Sequence, residues 1–390
     1  MVAIPGLEQI KAVTSRLFGA QRGGESVVGI DIGSSSIKVV QARKKSGVAT
    51  LVTYGALALG PYGKVEVGKS VKLPTKAIEQ ALGDLLREAE VTTKECVMSI
   101  PLSSSLITYM EMPDVGAKRL ASMIPIEARK YIPVPINEVA LDWLIIPKNE
   151  DAGPTGGRDE REEKEKNDAE DGDPNKRIDV LLVAIHNETL EQYGQIASAL
   201  GLNVRFVEIE IFGTARAVLD KGIAPAMVLD MGASSTKLYL VEHGVVRSSH
   251  IVGRGSEDFT TALSQATELS AAEAEEIKRS AGLGHRINGR SVAELVPTQM
   301  DYIFSEANRV LLNYQRKHNK VVSKIVLSGG GVLLPGFFEA AKERFDTEVV
   351  RGDPFKKLES PAYLSDMLAE AGPEFSAAVG VTLRALQENA

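Results

Sequence analysis

Cysteine is almost missing from this sequence: Cys96 is the single copy in 390 residues. One thiol excludes an internal disulfide and any thiolate metal cluster. Its setting, Glu95-Cys96-Val97-Met98-Ser99-Ile100, reads as a strand, so the thiol is expected to be buried and inert. Aromatic residues make up only 5% of the chain, with one Trp, which leaves the core to Val, Leu, Ile and Ala. Positive charge is outnumbered, 45 Lys and Arg against 52 Asp and Glu, for a net charge of −7. Without a basic surplus to neutralise phosphates, no nucleic-acid partner is expected. No apolar run reaches the ~18 residues a spanning helix needs, and the N-terminus lacks a signal peptide's apolar block. The expectation is a soluble, intracellular chain. The five histidines, His186, His243, His250, His285 and His318, show no metal-ligand spacing. No Gly-x-Ser-x-Gly elbow, His-Glu-x-x-His or Walker-type Gly-Lys-Ser/Thr occurs.

What is present is an ordinary globular composition, 44% apolar and 25% charged, at a length that suits two to four compact units. In residues 1–25, Ile4, Leu7, Ile10, Val13 and Leu17 recur at helical spacing. That leader suits a short helix docked on its own domain, a loose segment, or a weak membrane-surface or partner helix. Residues 149–176 form an acidic stretch with no Val, Ile, Leu or Phe, which can bury nothing and reads as a solvated loop. Its flanks, Val139 to Ile146 and Ile178 to Ile185, read as two strands of a hairpin whose turn has been expanded.

The chemistry sits in an internal duplication. Asp31-Ile32-Gly33-Ser34-Ser35-Ser36-Ile37-Lys38 recurs as Asp230-Met231-Gly232-Ala233-Ser234-Ser235-Thr236-Lys237, both spelling Asp-x-Gly-x-Ser-Ser-x-Lys between apolar flanks. Each copy predicts a strand, a tight turn and a second strand. A turn rich in Gly and Ser converges backbone N–H groups on one point, a concavity suited to phosphate. An Asp ending the first strand can hold Mg²⁺, usually through water. Two such turns about 200 residues apart suggest two related domains gripping one polyphosphate. A third cluster, Gly329-Gly330-Gly331, follows the predicted strand Lys324 to Ser328 and would let a flat nucleoside lie against the backbone.

The two Asp-x-Gly turns and Ser328-Gly329-Gly330-Gly331 followed by Pro335-Gly336 resemble the phosphate 1, phosphate 2 and adenosine motifs of the actin-like superfamily, which also holds sugar kinases. Within it the chain is most similar to the type IV pilus assembly PilM family, relatives of the cell-division protein FtsA, from Ser26 onward. Glu111-Met112-Pro113, Ile126 to Pro135, and Glu374 to Gly380 with Val381-Thr382-Leu383-Arg384 carry the rest of the likeness.

The resemblance implies an α/β fold of actin-like (ribonuclease H-like) duplicated domains with a small SHS2-type insert. It divides the chain into a leader, 1–25; an actin-like subdomain, 26–101 and 202–222; the insert, 102–201; a second actin-like subdomain, 223–254 and 321–390; and a helical subdomain, 255–320. It implies ATP and Mg²⁺ as cofactors. Asp31 and Asp230 would face the metal, and Asp31, Gly33, Ser34, Ser35, Ser36 and Lys38 the phosphates, with Gly232, Ser234 and Ser235 opposite them. Glu275 and Lys278, spaced Glu-x-x-Lys on one helix face, would contact the ribose; the residues alone favour a solvated ion pair, and their place between the second turn and the glycine cluster balances the two readings. Gly329, Gly330 and Gly331 would line the adenosine.

For catalysis the resemblance offers Asp230 with Glu208 or Glu210 beside an attacking water, at most a slow ATPase; both glutamates equally suit an exposed strand face. At Gly253-Arg254-Gly255-Ser256, Ser256 replaces the second glycine of an expected pair. The implied function is a cytoplasmic scaffold at the inner face of the membrane, in a type IV pilus or type II secretion-like platform. It would dock the cytoplasmic tail of a PilN-like inner-membrane protein and possess further platform or motor partners and a homo-oligomeric form. An FtsA-like division protein and a small-molecule kinase are the alternatives. Tyr131-Ile132-Pro133-Val134-Pro135-Ile136, apolar and stiffened by proline, suits either a docking groove or the insert's own core.

Overall fold

A computed structural model describes residues 26–146, 176–220, 222 and 224–387. The leader expected at residues 1–25 and the acidic loop expected up to residue 175 lie outside the described residues. Within them, Leu102–Tyr193 form one compact unit and the rest another.

In the larger unit the first sheet contains β1 (Ser26–Ile32), β2 (Ser36–Lys45), β3 (Val48–Ala58), β4 (Glu95–Ile100) and, after the smaller unit, β8 (Asn203–Ile209), in the order β3-β2-β1-β4-β8. The second contains β9 (Ala226–Met231), β10 (Thr236–Glu242), β11 (Val245–Val252), β14 (Lys324–Ser328) and β15 (Glu348–Arg351), in the order β11-β10-β9-β14-β15. The two orders are the same: an antiparallel three-strand meander whose first strand pairs in parallel with a later strand, which pairs in parallel with a still later one. β1 and β9 are central, covered on both faces, and so read as nearly continuous apolar runs. Cys96 on β4 is fully buried, and that burial pushes its thiol up to about 12.

Helix α1 (Thr75–Glu88) lies between β3 and β4 in sequence, and α4 (Glu210–Val218) follows β8. The second half adds α5 (Ser256–Thr267), α6 (Ala271–Ser280), the two-residue strands β12 (Arg286–Ile287) and β13 (Arg290–Ser291), α7 (Val292–Leu295), α8 (Pro297–His318) and α9 (Phe337–Arg344). α6 starts on a capping box in which Ser270 and Glu273 satisfy each other's backbone N–H groups. α10 (Ser365–Ala371) and α11 (Ser376–Gln387) end the described chain.

α11 is buried at every residue from Ser376 to Leu386, as an all-round apolar helix must be. It packs in the first half's core: Ala378, Val379, Val381 and Leu383 cluster with Val27, Val40, Val97 and Phe206. It also crosses α4 so closely that a Cβ on Gly380 would lie 1.8 Å from the Gly213 carbonyl oxygen, a contact open only to glycine. The second half's core is its own, running from Met227 and Leu238 through Phe259, Phe304 and Phe337 to Val349.

The smaller unit has an antiparallel sheet, β5 (Ser105–Pro113), β7 (Arg177–His186) and β6 (Val139–Ile146), in that spatial order. The predicted hairpin is present: β6 and β7 pair antiparallel, from Val139↔His186 to Ile146↔Asp179. Helix α2 (Ala117–Ala128) lays Leu120, Ile124 and Ala128 on this sheet, and α3 (Asn187–Ala199) carries the chain onward. Of the two readings of residues 131–136, the core reading holds for Ile132. Ile132 is 6% exposed and sits in this unit's core, with Val134 and Ile136 packed against it. Apolar exposure falls on Tyr131 at the start of the segment and on Met123 and Ile126 of α2, with Ile126 67% exposed. Ile132, Val134 and Ile136 alternate with Pro133 and Pro135, and that alternation conceals which side faces the sheet.

Candidate functional site

The duplicated motif folds into two equivalent turns, each joining the central strand of its sheet to the next. In each the glycine N–H donates across the turn, Gly33 to the Ser36 carbonyl at 3.0 Å and Gly232 to the Ser235 carbonyl at 2.9 Å. Strand register sets Asp31 opposite Lys38 and Asp230 opposite Lys237. Each lysine bends over its own turn: a Cβ on Gly33 would stand 3.7 Å from Lys38 Nζ, and one on Gly232 3.9 Å from Lys237 Nζ. The turns meet, Ser234 Oγ donating to Ser34 Oγ at 3.2 Å. Gly33, Ser34, Ser35, Ser36, Lys38, Gly232, Ser234 and Ser235 therefore stand around one place, with both aspartates buried at its floor.

The glycine cluster belongs to the same place. Gly329 has φ +86°, and a Cβ there would lie 2.4 Å from the Met231 carbonyl oxygen and 2.5 Å from Asp230 Oδ1. Its N–H donates to the Pro373 carbonyl at 2.8 Å. A Cβ on Gly331 would meet Met231 Cγ at 2.6 Å, whereas one on Gly330 has nothing nearer than 3.7 Å. Gly329 and Gly331 thus allow the close approach to β9, and Gly330 presents open backbone.

The two glutamates part company because the strand ends between them. Glu208 is the penultimate residue of β8 and is 2% exposed. It accepts from Arg216 Nη1 at 2.7 Å and Nη2 at 2.8 Å, and from Arg384 Nη1 at 2.8 Å. The Arg384 guanidinium lies 4.4 Å over the Phe206 ring. Burial opposes the Glu208 charge, but the two arginines outweigh it and hold the carboxyl below the usual glutamate range. Both the water-orienting role and the exposed strand face expected for Glu208 give way to this buried cluster, which joins β8 to α4 and α11.

Glu210 opens α4 and turns toward the aspartates. Its Oε2 accepts from Lys237 Nζ at 2.8 Å, and the same ammonium stands 3.9 Å from Asp230 Oδ2. Burial raises the carboxyls of both Glu210 and Asp230, against the pull of Lys237. Burial also disfavours the Lys237 charge, but Glu210 and Asp230 overcome it and hold the ammonium above the usual lysine range.

Lys237 and Ser99 are the functional residues that sequence reasoning passed over. Lys237 repeats Lys38 in the duplicated motif, so the signal was present. Ser99, whose hydroxyl donates to Asp31 Oδ1, had none, because its position beside Asp31 depends on the parallel pairing of β1 with β4.

Glu275 and Lys278 form a buried pair at 2.6 Å rather than a solvated one. Thr260 Oγ1 donates to Glu275 at 2.6 Å, and Lys278 donates to Thr260 Oγ1 at 2.8 Å and the Ser256 carbonyl at 3.0 Å. Burial outweighs Glu275 and pulls the Lys278 ammonium below its usual range. No direct contact joins this pair to the turns. It reaches them through α5, where the N–H groups of Ser256 and Glu257 donate to the carbonyls of Gly232 at 2.9 Å and Ala233 at 3.0 Å. A cavity of about 520 Å³ opens between Glu66 and Val67 and the α6 face that carries Ala272, Glu275, Glu276 and Arg279. That volume suits a small ligand.

Two like halves, each bringing an Asp-x-Gly turn to one cleft, define an actin-like protein. The chain belongs to the family described as type IV pilus assembly protein PilM, which it matches over residues 29–155 and 166–386. The PilM-PilN type IV pilus biogenesis complex has a similar fold, with TM-score 0.75 and 23% identity over 94% of this chain and 99% of that one. MreB5 of Spiroplasma citri, solved bound to ADP, is similar at TM-score 0.50 and 10% identity, covering 94% of this chain and 97% of that one. Cell division protein FtsA of Bacillus subtilis (strain 168) is 22% identical over 381 residues, 87% of this chain and 82% of FtsA.

Proposed function

We propose that this type IV pilus assembly protein is an ATP-binding scaffold that captures the cytoplasmic tail of a PilN-like inner-membrane protein. The observation that carries the nucleotide reading is the meeting of two serine turns, each with its own lysine and buried aspartate. The donor set fits Mg-ATP. Turn N–H groups and two ammonium groups suit phosphate oxygens, and two carboxylates suit a hard cation that keeps most of its water. Asp31, oriented by Ser99, and Asp230 would hold the ion. Mg²⁺ would supply neutralisation of phosphate charge.

Lys38 covers the first turn and is the freer of the two cations to meet phosphate, since Lys237 is engaged with Glu210. Glu210 replaces Glu208 as the residue to orient a water. Burial raises its carboxyl, the direction a base needs, while Lys237 fixes its place. Turnover is expected to be slow, because positioning and charge neutralisation are the whole of what these residues offer.

The partner reading rests on family membership and on the fold shared with a protein solved as a PilM-PilN complex. No described helix is long and apolar enough to cross a membrane, so attachment to the inner face would come through the partner. An extended tail would gain backbone hydrogen bonds and one or two apolar anchors.

The test is a titration of ATP and of a cytoplasmic tail peptide from a PilN-like membrane protein. Asp31→Ala with Lys38→Ala is expected to weaken ATP binding by about 1.5–3 kcal/mol or more. Unchanged ATP affinity in that double variant removes the site. Absence of peptide binding, with and without ATP, removes the scaffold.

A further inference from the structure

The segment from Leu59 to Val71 leaves the first phosphate turn and returns to it. At one end the Leu59 N–H donates to the Ser35 carbonyl at 2.8 Å; at the other the Val71 N–H donates to the Ser34 carbonyl at 2.9 Å. Between these anchors the chain makes a 3-10 turn at Gly60–Gly63, closed by the Val65 N–H on the Gly60 carbonyl at 3.0 Å. Its far part then crosses to the second half. The Ser70 N–H donates to Glu257 Oε2 at 3.0 Å, and the Ser70 hydroxyl donates to the same oxygen. Gly68, at φ +90°, lies so close to α6 that a Cβ would stand 2.5 Å from Glu275 Cδ. Glu257 is itself seated on the second turn through its N–H on Ala233.

A trans peptide points its C=O and N–H in opposite directions. Fixing the Ser34 and Ser35 carbonyls on the strap therefore turns the N–H groups of Ser35 and Ser36 away from it. These are the N–H groups the proposed phosphate site uses. One segment thus orients the phosphate donors of the first half and grips the second half by Glu257 and Glu275.

The geometry points to residues 59–71 as a latch that couples occupancy of the first phosphate turn to closure of the two halves. This rests on the nucleotide-binding reading above. Phosphate drawn to the Ser35 and Ser36 N–H groups holds the Ser34 and Ser35 carbonyls outward, which steadies the strap. The steadied strap keeps Ser70 on Glu257, so nucleotide leaves only after that contact opens. A ligand favours closure only as far as it binds the closed arrangement better, and the strap supplies that difference. Ser70 and Glu257 act through the turn and are positioning residues.

The experiment measures release of a fluorescent ATP analogue from the full chain, with Ser70→Ala and Glu257→Ala as separate variants and combined. Glu257→Ala is expected to release the analogue about tenfold faster, equal to about 1.4 kcal/mol. The double variant should add little to Glu257→Ala, because Ser70→Ala removes only the hydroxyl half of the contact that Glu257→Ala breaks entirely. Amide hydrogen exchange gives the second readout. ATP should slow exchange at Ser70 and Val71 in the unaltered chain and fail to do so at Ser70 in Glu257→Ala. Release at the unaltered rate from both single variants, or ATP-insensitive exchange at Ser70 and Val71, overturns the latch while leaving the nucleotide site intact. An unaltered chain that binds no ATP analogue overturns both.

Discussion

The two phosphate turns share a pattern, a register and a closing hydrogen bond, yet their surroundings make them different instruments. In the first, Asp31 is held by a neutral hydroxyl, Ser99, and the turn carbonyls are committed to the strap. In the second, the serine at the matching register position, Ser328 beside Asp230, donates to the Pro373 carbonyl at 3.4 Å instead. The neighbour of Asp230 is then an ammonium, Lys237, that also holds Glu210. Duplication copied the turns; the strands and helices packed beside them divided the labour. In the proposed reading the first copy would receive phosphate, and the second gathers the charges that would act on it.

The largest expected effect separates the halves by stability. Glu208→Ala leaves two arginines buried without their carboxylate and detaches α11 from β8, so a loss of about 3–5 kcal/mol in urea unfolding is expected. Glu242 is the second half's counterpart test. It accepts from Tyr314 Oη at 3.1 Å and from Lys320, which is 41% exposed at its side chain. Glu242→Ala should cost less, about 1–2 kcal/mol, because solvent screens the lysine. Equal losses would mean that the halves do not differ in how they are held.

A smaller effect sharpens the division of labour between the lysines. Lys38→Ala should weaken ATP binding by about 1.5–3 kcal/mol. Lys237→Ala should weaken it less and show itself mainly in whatever turnover the protein has, since it frees Glu210. Isothermal titration of both variants decides this, and a larger affinity loss in Lys237→Ala would reverse the assignment.

The smallest effect is in pH dependence, where the two glutamates have opposite signs. Glu208 has its carboxyl depressed by Arg216 and Arg384, so its stabilisation is complete above the ordinary glutamate value and fades as pH falls below it. Glu210 is raised by burial, so its contribution is present at low pH and is lost as pH rises through its folded value. Melting curves across pH should therefore show a flatter acid limb in Glu208→Gln. In Glu210→Gln, less stability should be lost between acid and neutral pH. The same slope in both variants would contradict the geometry.

These contrasts mark what could be read from the residues. The turns were legible because a repeated Asp-x-Gly-x-Ser-Ser-x-Lys between apolar flanks needs only local structure to mean something. The hairpin of β6 and β7 was legible from its alternation. Glu208 and Glu210 were not separable, because two residues apart on a strand they would share a face. The strand stops at Ile209, and the helix that follows sends them different ways. Arg384, Ser99 and Ser70 act across sheet pairings or long loops, and nothing beside them in the sequence reveals their partners. Ile132 stayed open for a plainer reason: an apolar residue beside a proline looks the same whether it faces a core or a partner.

The placement of α11 has a consequence for how the chain is made. Val27, Val40 and Val97 are synthesised early, but the residues that complete their core, from Phe355 to Leu386, leave the ribosome after the second half's core residues. The earlier half must wait with an uncovered sheet while the later half, whose core closes by Val349, can already settle. Order of synthesis and order of completion are therefore inverted. An interruption of translation near residue 350 would yield a chain whose second half is finished and whose first half is exposed to aggregation and proteolysis.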